Sequence, residues 1–405
     1  MTSVLHPLIH DWNQDQAGPR PPVLLNDETL RDGLQSPSIR TPSIDEKIDI
    51  LRRMDALGID TADIGLPGAG PGVAADAERL ARAIGDERLA IRANCAARTL
   101  VADIQPIADI VQRTGVPIEC CTFIGSSPVR QYAEGWTLDD LQRISEDAIR
   151  FAVREGLTVM FVTEDTTRAD PASLRALFST ALRSGASRLC IADTVGHATP
   201  AGAAAVVGFV RDVVASVGVE AGIDWHGHQD RGLGVASALA ALAAGATRIH
   251  GSALGIGERS GNTPMDLLLV NLVMMGYLDR DLTSLPGYCA AVSRACDVPI
   301  PMNYPVVGRD AFRTATGVHA AALVKALRKD DRRLMDAVYA AVPASLVGRT
   351  QEIDIGPLSG RSNVVFWLES RGLPAPDATV DRLLATAKAS NRTLTHDELR
   401  RLLAE

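Results

Sequence analysis

Short β-branched or apolar runs alternate with longer segments of helical period from residue 23 to about residue 276, and this alternation restricts the fold more than any other feature of the chain. Strands are predicted near VLLNDE (23 to 28), TADIGL (61 to 66), LAIRANC (89 to 95), PIECCTFI (117 to 124), TVMFVTED (158 to 165), RLCIADTV (188 to 195), GIDWHGH (222 to 228) and TRIHGSAL (247 to 254). Helical patterns lie between them. One opens on the capping-box spacing Ser43–Glu46, one follows Trp136–Thr137, and one runs from Asp170–Pro171 to Gly185. Eight strand–helix units over roughly 250 residues match an α/β chain folded as a TIM (β/α)8 barrel. A doubly wound open sheet competes for such a pattern, but the GxGxxG that a dinucleotide fold wants after its first strand is absent. The reading divides the chain into an extension (1 to 22), a catalytic barrel (23 to 280) and a smaller, mainly helical C-terminal appendage (281 to 405) in which strands stop.

Composition removes several classes of function. The 405 residues carry a net charge of -8, which argues against a nucleic-acid partner or an anionic membrane surface. No apolar run is read as reaching the ~18 residues of a membrane span, and the N-terminal MTSVLHPLIHDWNQDQ lacks the basic and apolar regions of a signal peptide, so the cytoplasm is expected. Six cysteines (Cys95, Cys120, Cys121, Cys190, Cys289, Cys296) form no CxxC pair and read as buried thiols of a reducing compartment. Only Lys47, Lys325, Lys329 and Lys388 are lysines, and none ends a barrel strand, which disfavours a Schiff-base aldolase.

In such barrels the C-terminal strand ends carry the chemistry. Asp32, Asp63, Glu164, Asp165, Asp193, Thr194, His226 and His228 all fall at that mouth. Residues i and i+2 of a strand share a face, so His226 and His228 can aim both imidazoles at one divalent metal, whereas a lone histidine there is more often structural. Asp32 offers a carboxylate and Asn262, in GIGERSGNTP, an amide; strands 1, 7 and 8 adjoin across the barrel closure, so the four can converge. Zn, Mn or Mg suits such a set, with positions left open for substrate oxygens. Arg31 adds a fixed positive charge, although most arginines are merely surface ion pairs.

The runs NDETLRDGLQSP (26 to 37), EDTTRAD (164 to 170), IADTVGHATP (191 to 200), HGHQDRGLG (226 to 234) and GIGERSGNTP (255 to 264) resemble those of the 2-isopropylmalate, homocitrate and citramalate synthases. The resemblance continues through NYPVVGRDAFRTATGVHAAALVKAL (303 to 327) and GPLSGRSNVVFWLESRGL (356 to 373). It implies a Claisen-type condensation of acetyl-CoA, the co-substrate, with a 2-oxo acid held on a divalent metal. It also implies Asp32, His226, His228 and Asn262 as the metal set and Arg31 as the catalytic arginine. Glu164 would pair with His319, and Tyr339 would lie near the reacting centre; without the family, His319 reads as a helix-surface histidine. Gln35, Arg98, Arg130 and Thr194 are implied as substrate-binding. The family further implies a homodimer in which His319 reaches a neighbouring barrel.

Some positions depart from that pattern. Gln229 replaces the usual Asn or Asp, Arg231 a small or apolar residue, and Leu66–Pro67 a Phe–Pro pair. The stretch around Arg130 is similar to homocitrate synthases, which implies an anionic acceptor gripped at its distal carboxylate; a solvated loop arginine is the plain alternative. A leucine-binding regulatory domain is not expected within these 405 residues. Two other readings compete. A hydroxymethylglutaryl-CoA lyase-like enzyme would carry a reactive cysteine in the glycine loop, where GIGERSGNTP has none, and an inactive barrel used as a binding scaffold would be expected to lose its ligands first.

Overall fold

The computed structural model describes residues 6–13 and 20–404. Eight parallel strands, β1 (Leu24–Asp27), β2 (Thr61–Asp63), β3 (Arg92–Arg98), β4 (Ile118–Gly125), β5 (Val159–Glu164), β6 (Arg188–Asp193), β7 (Gly222–Gly227) and β8 (Arg248–Gly251), close into a barrel in chain order. The closure pairs Leu24 with Arg248 and Asp27 with Gly251. The helices are α1 (Ile44–Ala56), α2 (Pro71–Glu87), α3 (Val101–Thr114), α4 (Pro128–Glu134), α5 (Leu138–Arg154), α6 (Pro171–Ser184), α7 (Pro200–Val217), α8 (Gly234–Ala244) and α9 (Met265–Met274). The TIM-barrel expectation holds.

Local chemistry sets the helix starts. Ser43 and Glu46 form the capping box of α1, and the Asp170 carboxylate accepts from the Ser173 amide (2.9 Å) with Pro171 at the first helical position of α6. The sequence after β4 hid one helix. Ser127 Oγ accepts from the Arg130 amide (3.3 Å) and Pro128 opens α4, so Arg130 stands on a short helix rather than a loop. Seven residues are too few for a helical period to show.

Helix α7 corrects the hydropathy reading. Its 18 residues have a mean hydropathy of 1.4 and are long and apolar enough to cross a membrane by length and composition. Its Ala203, Val207, Val210 and Val213 are buried at helical spacing, which is the stripe of a barrel-wall helix.

Two compact units emerge. One comprises Arg20–Arg280 with Gly287–Pro299, so most of α10 (Leu285–Cys296) belongs with the barrel. Among the described residues, the other contains 6–13, Asp281–Pro286 and 300–404. It holds α11 (Gly317–Leu327), α12 (Arg332–Ala337), α13 (Arg361–Glu369), α14 (Asp377–Ala389) and α15 (His396–Ala404). Val364, Trp367, Leu368, Val380 and Leu383 form one of its apolar clusters. Strands do not stop past residue 280: β9 (Arg313–Thr314) and β10 (Glu352–Ile353) pair in parallel. Two-residue strands carry no alternation by which to be read.

Candidate active site at the barrel mouth

The sequence places a polar residue at every second position near the strand ends, and the pleat turns these side chains toward the barrel axis: Asn26 and Glu28 from β1 onward, Asp224, His226 and His228 from β7 onward, Arg248 and His250 on β8. Asp32, on the turn after β1, completes the mouth cluster. His226 Nε2 lies 3.2 Å from Asp32 Oδ2, His228 Nε2 lies 3.5 Å from the same oxygen, and the two Nε2 atoms are 3.3 Å apart. Three donors on a near-equilateral triangle of that size suit one ion at bond lengths of about 2.0–2.2 Å.

Asn262 is brought beside them by the loop after β8, which folds back across the end of β7 and bridges to His228. This needs glycine at two points. A side chain on Gly257 (φ 150°) would strike the Asn262 amide, and one on Gly261 (φ 92°) would overlap the Gly255 carbonyl. Asn262 Nδ2 donates to the Ile256 carbonyl (3.1 Å), while its Oδ1 is buried without a partner. A buried orphan acceptor next to a carboxylate and two imidazoles is what a fourth ligand looks like before the ion is added.

The electrostatics fit a single cation. Burial would push the Asp32 carboxyl up, but Arg31, His226 and His228 hold it well below the usual carboxylate range. Burial opposes a charge on His226, yet Asp32 and Glu28 outweigh it and bring the imidazole up to about 9. At His228 burial and the neighbouring His226 charge act together and lower it to about 4. The cluster therefore favours positive charge beside Asp32 and Glu28, while His228 is kept in the neutral form in which an imidazole can ligate.

Arg31 is fixed on three sides. Its Nη2 donates to Glu28 (2.6 Å), its Nε to Asp63 (2.8 Å), and its Nη1 lies 3.8 Å from Asp32. Burial raises Asp63 to about 7, with Arg31 opposing. These groups line a cavity of about 360 Å³ together with Gln35, Glu164 and Thr194. Thr194 Oγ1 accepts from the Asp165 amide (2.7 Å), which leaves its hydroxyl proton free to donate. Burial pushes Glu164 up, partly offset by Arg130, whose Nη2 lies 3.7 Å away. Across from the ligands the wall is apolar and sulfur-rich: Cys121, Phe123, Met160, Val162 and Cys190. A larger cavity of about 460 Å³ beside α6 and α7, lined by Leu174, Val206 and Phe209, contains neither group of ligand-type residues found among the described residues.

Not every expected substrate residue reaches this cavity. Arg98, at the end of β3, is held in a two-pronged pair by the buried Asp103 (2.6 and 2.9 Å) and stays outside, 57% exposed. Arg130 sits at the rim, between Glu134 (3.4 Å) and Glu164. His319 on α11 and Tyr339 just beyond α12 belong to the C-terminal unit, where their rings stack at 4.0 Å. Sequence reasoning passed over Glu28, His250, Glu258 and Arg259, which also line the site. The alternation that singled out His226 and His228 was equally present in Arg248–His250.

A family model described as HMGL-like matches residues 23–286. The chain belongs to this family. The chain is 29% identical over 371 residues to a probable 2-isopropylmalate synthase of Methanopyrus kandleri, covering 90% of this chain and 69% of that one. It is 32% identical over 372 residues to homocitrate synthase AksA of the same organism, covering 91% and 87%. The synthase resemblance read from the motifs is thus borne out. Among solved structures, an HMG-CoA lyase from Bacillus subtilis shares the fold with a TM-score of 0.59 and 20% identity, covering 70% of this chain and 97% of that one.

Proposed function

We propose that the protein is an acyltransferase that condenses acetyl-CoA with a 2-oxo acid, with water then hydrolysing the thioester, giving a 2-hydroxy acid with one more carboxylate and free CoA. One observation carries this reading beyond the shared barrel: synthase relatives align over about nine-tenths of the chain, including the segment past the barrel, whereas the lyase covers 70%. Asp32, His226, His228 and Asn262 would hold a divalent ion. When bound, that ion supplies Lewis-acid polarisation of the carbonyl of a chelating 2-oxo acid. Arg31, immobilised by Glu28 and Asp63, sets a positive charge beside oxygen atoms that gain negative charge during attack. Thr194 offers its hydroxyl proton and Gln35 its amide to the carboxylate end of the acceptor. Glu164, with its carboxyl pushed up by burial, exchanges a proton at the rim. The six free, buried thiols support a cytoplasmic setting.

The direct test is CoA-thiol release from acetyl-CoA with pyruvate, 2-oxoisovalerate and 2-oxoglutarate as acceptors. Acceptor-dependent release is expected, and the acceptor preferred reports whether Arg130, whose Nη2 lies 3.4 Å from Glu134 and 3.7 Å from Glu164 at the rim, grips an anionic end. Release from none of them, together with cleavage of hydroxymethylglutaryl-CoA, would favour the lyase; silence in both assays would favour the scaffold.

The protein is further proposed to act as a homodimer in which His319 and Tyr339 of one chain serve the barrel of the other. Glu164→Ala and His319→Ala chains are each expected to be inactive alone. Co-expressed and purified as a heterodimer, they should recover up to about half of wild-type activity, because one of the two mixed sites is intact. A verified heterodimer with no recovery would show that each chain completes its own site.

A further inference from the structure

A line of buried polar contacts leaves the ligand cluster and descends through the barrel. His226 Nδ1 lies 3.6 Å from Glu28 Oε1, and that oxygen also faces His250 Nδ1 at 2.8 Å and accepts from Asn26 Nδ2 at 2.8 Å. The other Glu28 oxygen accepts from Arg31 Nη2. Below them, His250 Nε2 faces Asp224 Oδ2 at 2.8 Å, and Asp224 is held in turn by Arg188 (2.7 Å) and Arg248 (2.5 Å). Glu28, Asp224, Arg248 and His250 are all buried. A barrel interior can be filled with hydrocarbon at less desolvation cost, so a buried ionic line of this kind calls for a role.

Glu28, His226 and His250 have the residue types for an ion of their own. Both His250 nitrogens, however, face carboxylate oxygens at hydrogen-bond distance, so each is engaged by a neighbour instead of being turned toward a shared centre. Support, not ligation, is the role this geometry permits. Neutral imidazole has one lone pair, and a proton on Nδ1 places it on Nε2. Nε2 of His226 is the atom that faces Asp32 and His228, while Nδ1 points toward Glu28. His228 differs, since its Nδ1 is buried without a partner.

We infer that Glu28 and His250 are positioning residues: His250, anchored on Asp224, orients the Glu28 carboxylate, and that one carboxylate fixes both the imidazole of His226 and the guanidinium of Arg31. This rests on reading Asp32, His226 and His228 as a metal site, and the test separates the two. Metal-stripped protein is titrated with zinc in competition with a chromophoric chelator, beside kcat and KM, for wild type, His228→Ala, Glu28→Gln and His250→Gln. Glu28→Gln and His250→Gln are each expected to retain one zinc per chain with affinity weakened roughly ten- to hundredfold. At saturating zinc, kcat per bound zinc should stay depressed while KM for acetyl-CoA is unchanged, whereas a general loss of folding would lower zinc stoichiometry and leave the rate per bound zinc at the wild-type value. Wild type without stoichiometric zinc, or His228→Ala binding as tightly as wild type, overturns the metal reading. Tight binding in wild type, loss in His228→Ala, and Glu28→Gln and His250→Gln within twofold of wild type in affinity and kcat overturn this inference alone. Should the buried substitutions prevent folding, nitrogen-15 spectra of the imidazoles in zinc-loaded wild type decide it. A Nδ1-protonated, Nε2-bound His226 is expected, and the opposite tautomer overturns the assignment.

Discussion

His228→Ala is expected to lower kcat/KM by about 10³ or more and to leave the barrel folded. The reason lies in the asymmetry of the pair. His228 is held neutral, down at about 4, so its removal abandons no buried charge and breaks no hydrogen bond at its unpartnered Nδ1. What disappears is one corner of the donor triangle. Circular dichroism should match wild type, and metal content after dialysis should fall to a small fraction of one ion per chain. Near-normal turnover by metal-stripped His228→Ala protein would end the metal hypothesis.

Arg31→Met is expected to fail differently, losing both rate and stability. Its guanidinium, only 20% exposed, neutralises Glu28 and Asp63, and breaking a buried pair by removing one partner costs about 3–5 kcal/mol. Asp63 softens the loss, because its carboxyl is already up at about 7 and takes a proton readily once the arginine has gone. The sign follows from linkage. An acid whose folded pKa lies above its unfolded value favours the folded state while protonated, and that contribution disappears as pH rises through the folded pKa. Arg31→Met should therefore be closest to wild type in urea midpoint near pH 5 and fall progressively further behind toward pH 8. Activity should drop by about 10²–10³ at any pH, through loss of the charge facing the reacting oxygens. A midpoint gap independent of pH would show that Asp63 is not the group responding.

The barrel and much of its mouth were legible because β-strands write their geometry into the sequence with period two. The eight runs around VLLNDE to TRIHGSAL lie within a few residues of the observed strands, and His226 and His228 face one ion-sized space as their spacing requires. Short elements were not legible. Helix α4 owes its existence to a Ser–Pro start, and β9 and β10 owe theirs to each other across a separation of 39 positions in the chain, from Arg313 to Glu352. Glu28 stayed hidden for another reason. In NDETLRDG it reads as one acid among several, and only the pairing of Asn26 with His250 across the barrel closure reveals that Glu28 and His250 meet. Arg98 shows the converse: a basic residue at a strand end looks poised for substrate until Asp103, five positions on, claims both prongs.

The sulfur-lined wall of the cavity bears on how this enzyme could change over evolutionary time. Cys121, Met160 and Cys190 come from three consecutive strands and pack as one cluster, with Val162 against it. Thioether and thiol surfaces are polarisable and yield to shape, and an apolar pocket separates homologous side chains differing by one methylene by only about 1–3 kcal/mol. The two halves of the cavity are therefore under unequal constraint. The ligand side, knitted into a buried ionic lattice, tolerates little revision, whereas a single substitution on the soft side can retune which acceptor is taken without disturbing the machinery opposite. Drift in acceptor preference among relatives of this chain should accordingly be recorded in the side chains of β4, β5 and β6, with the histidines of β7 unmoved.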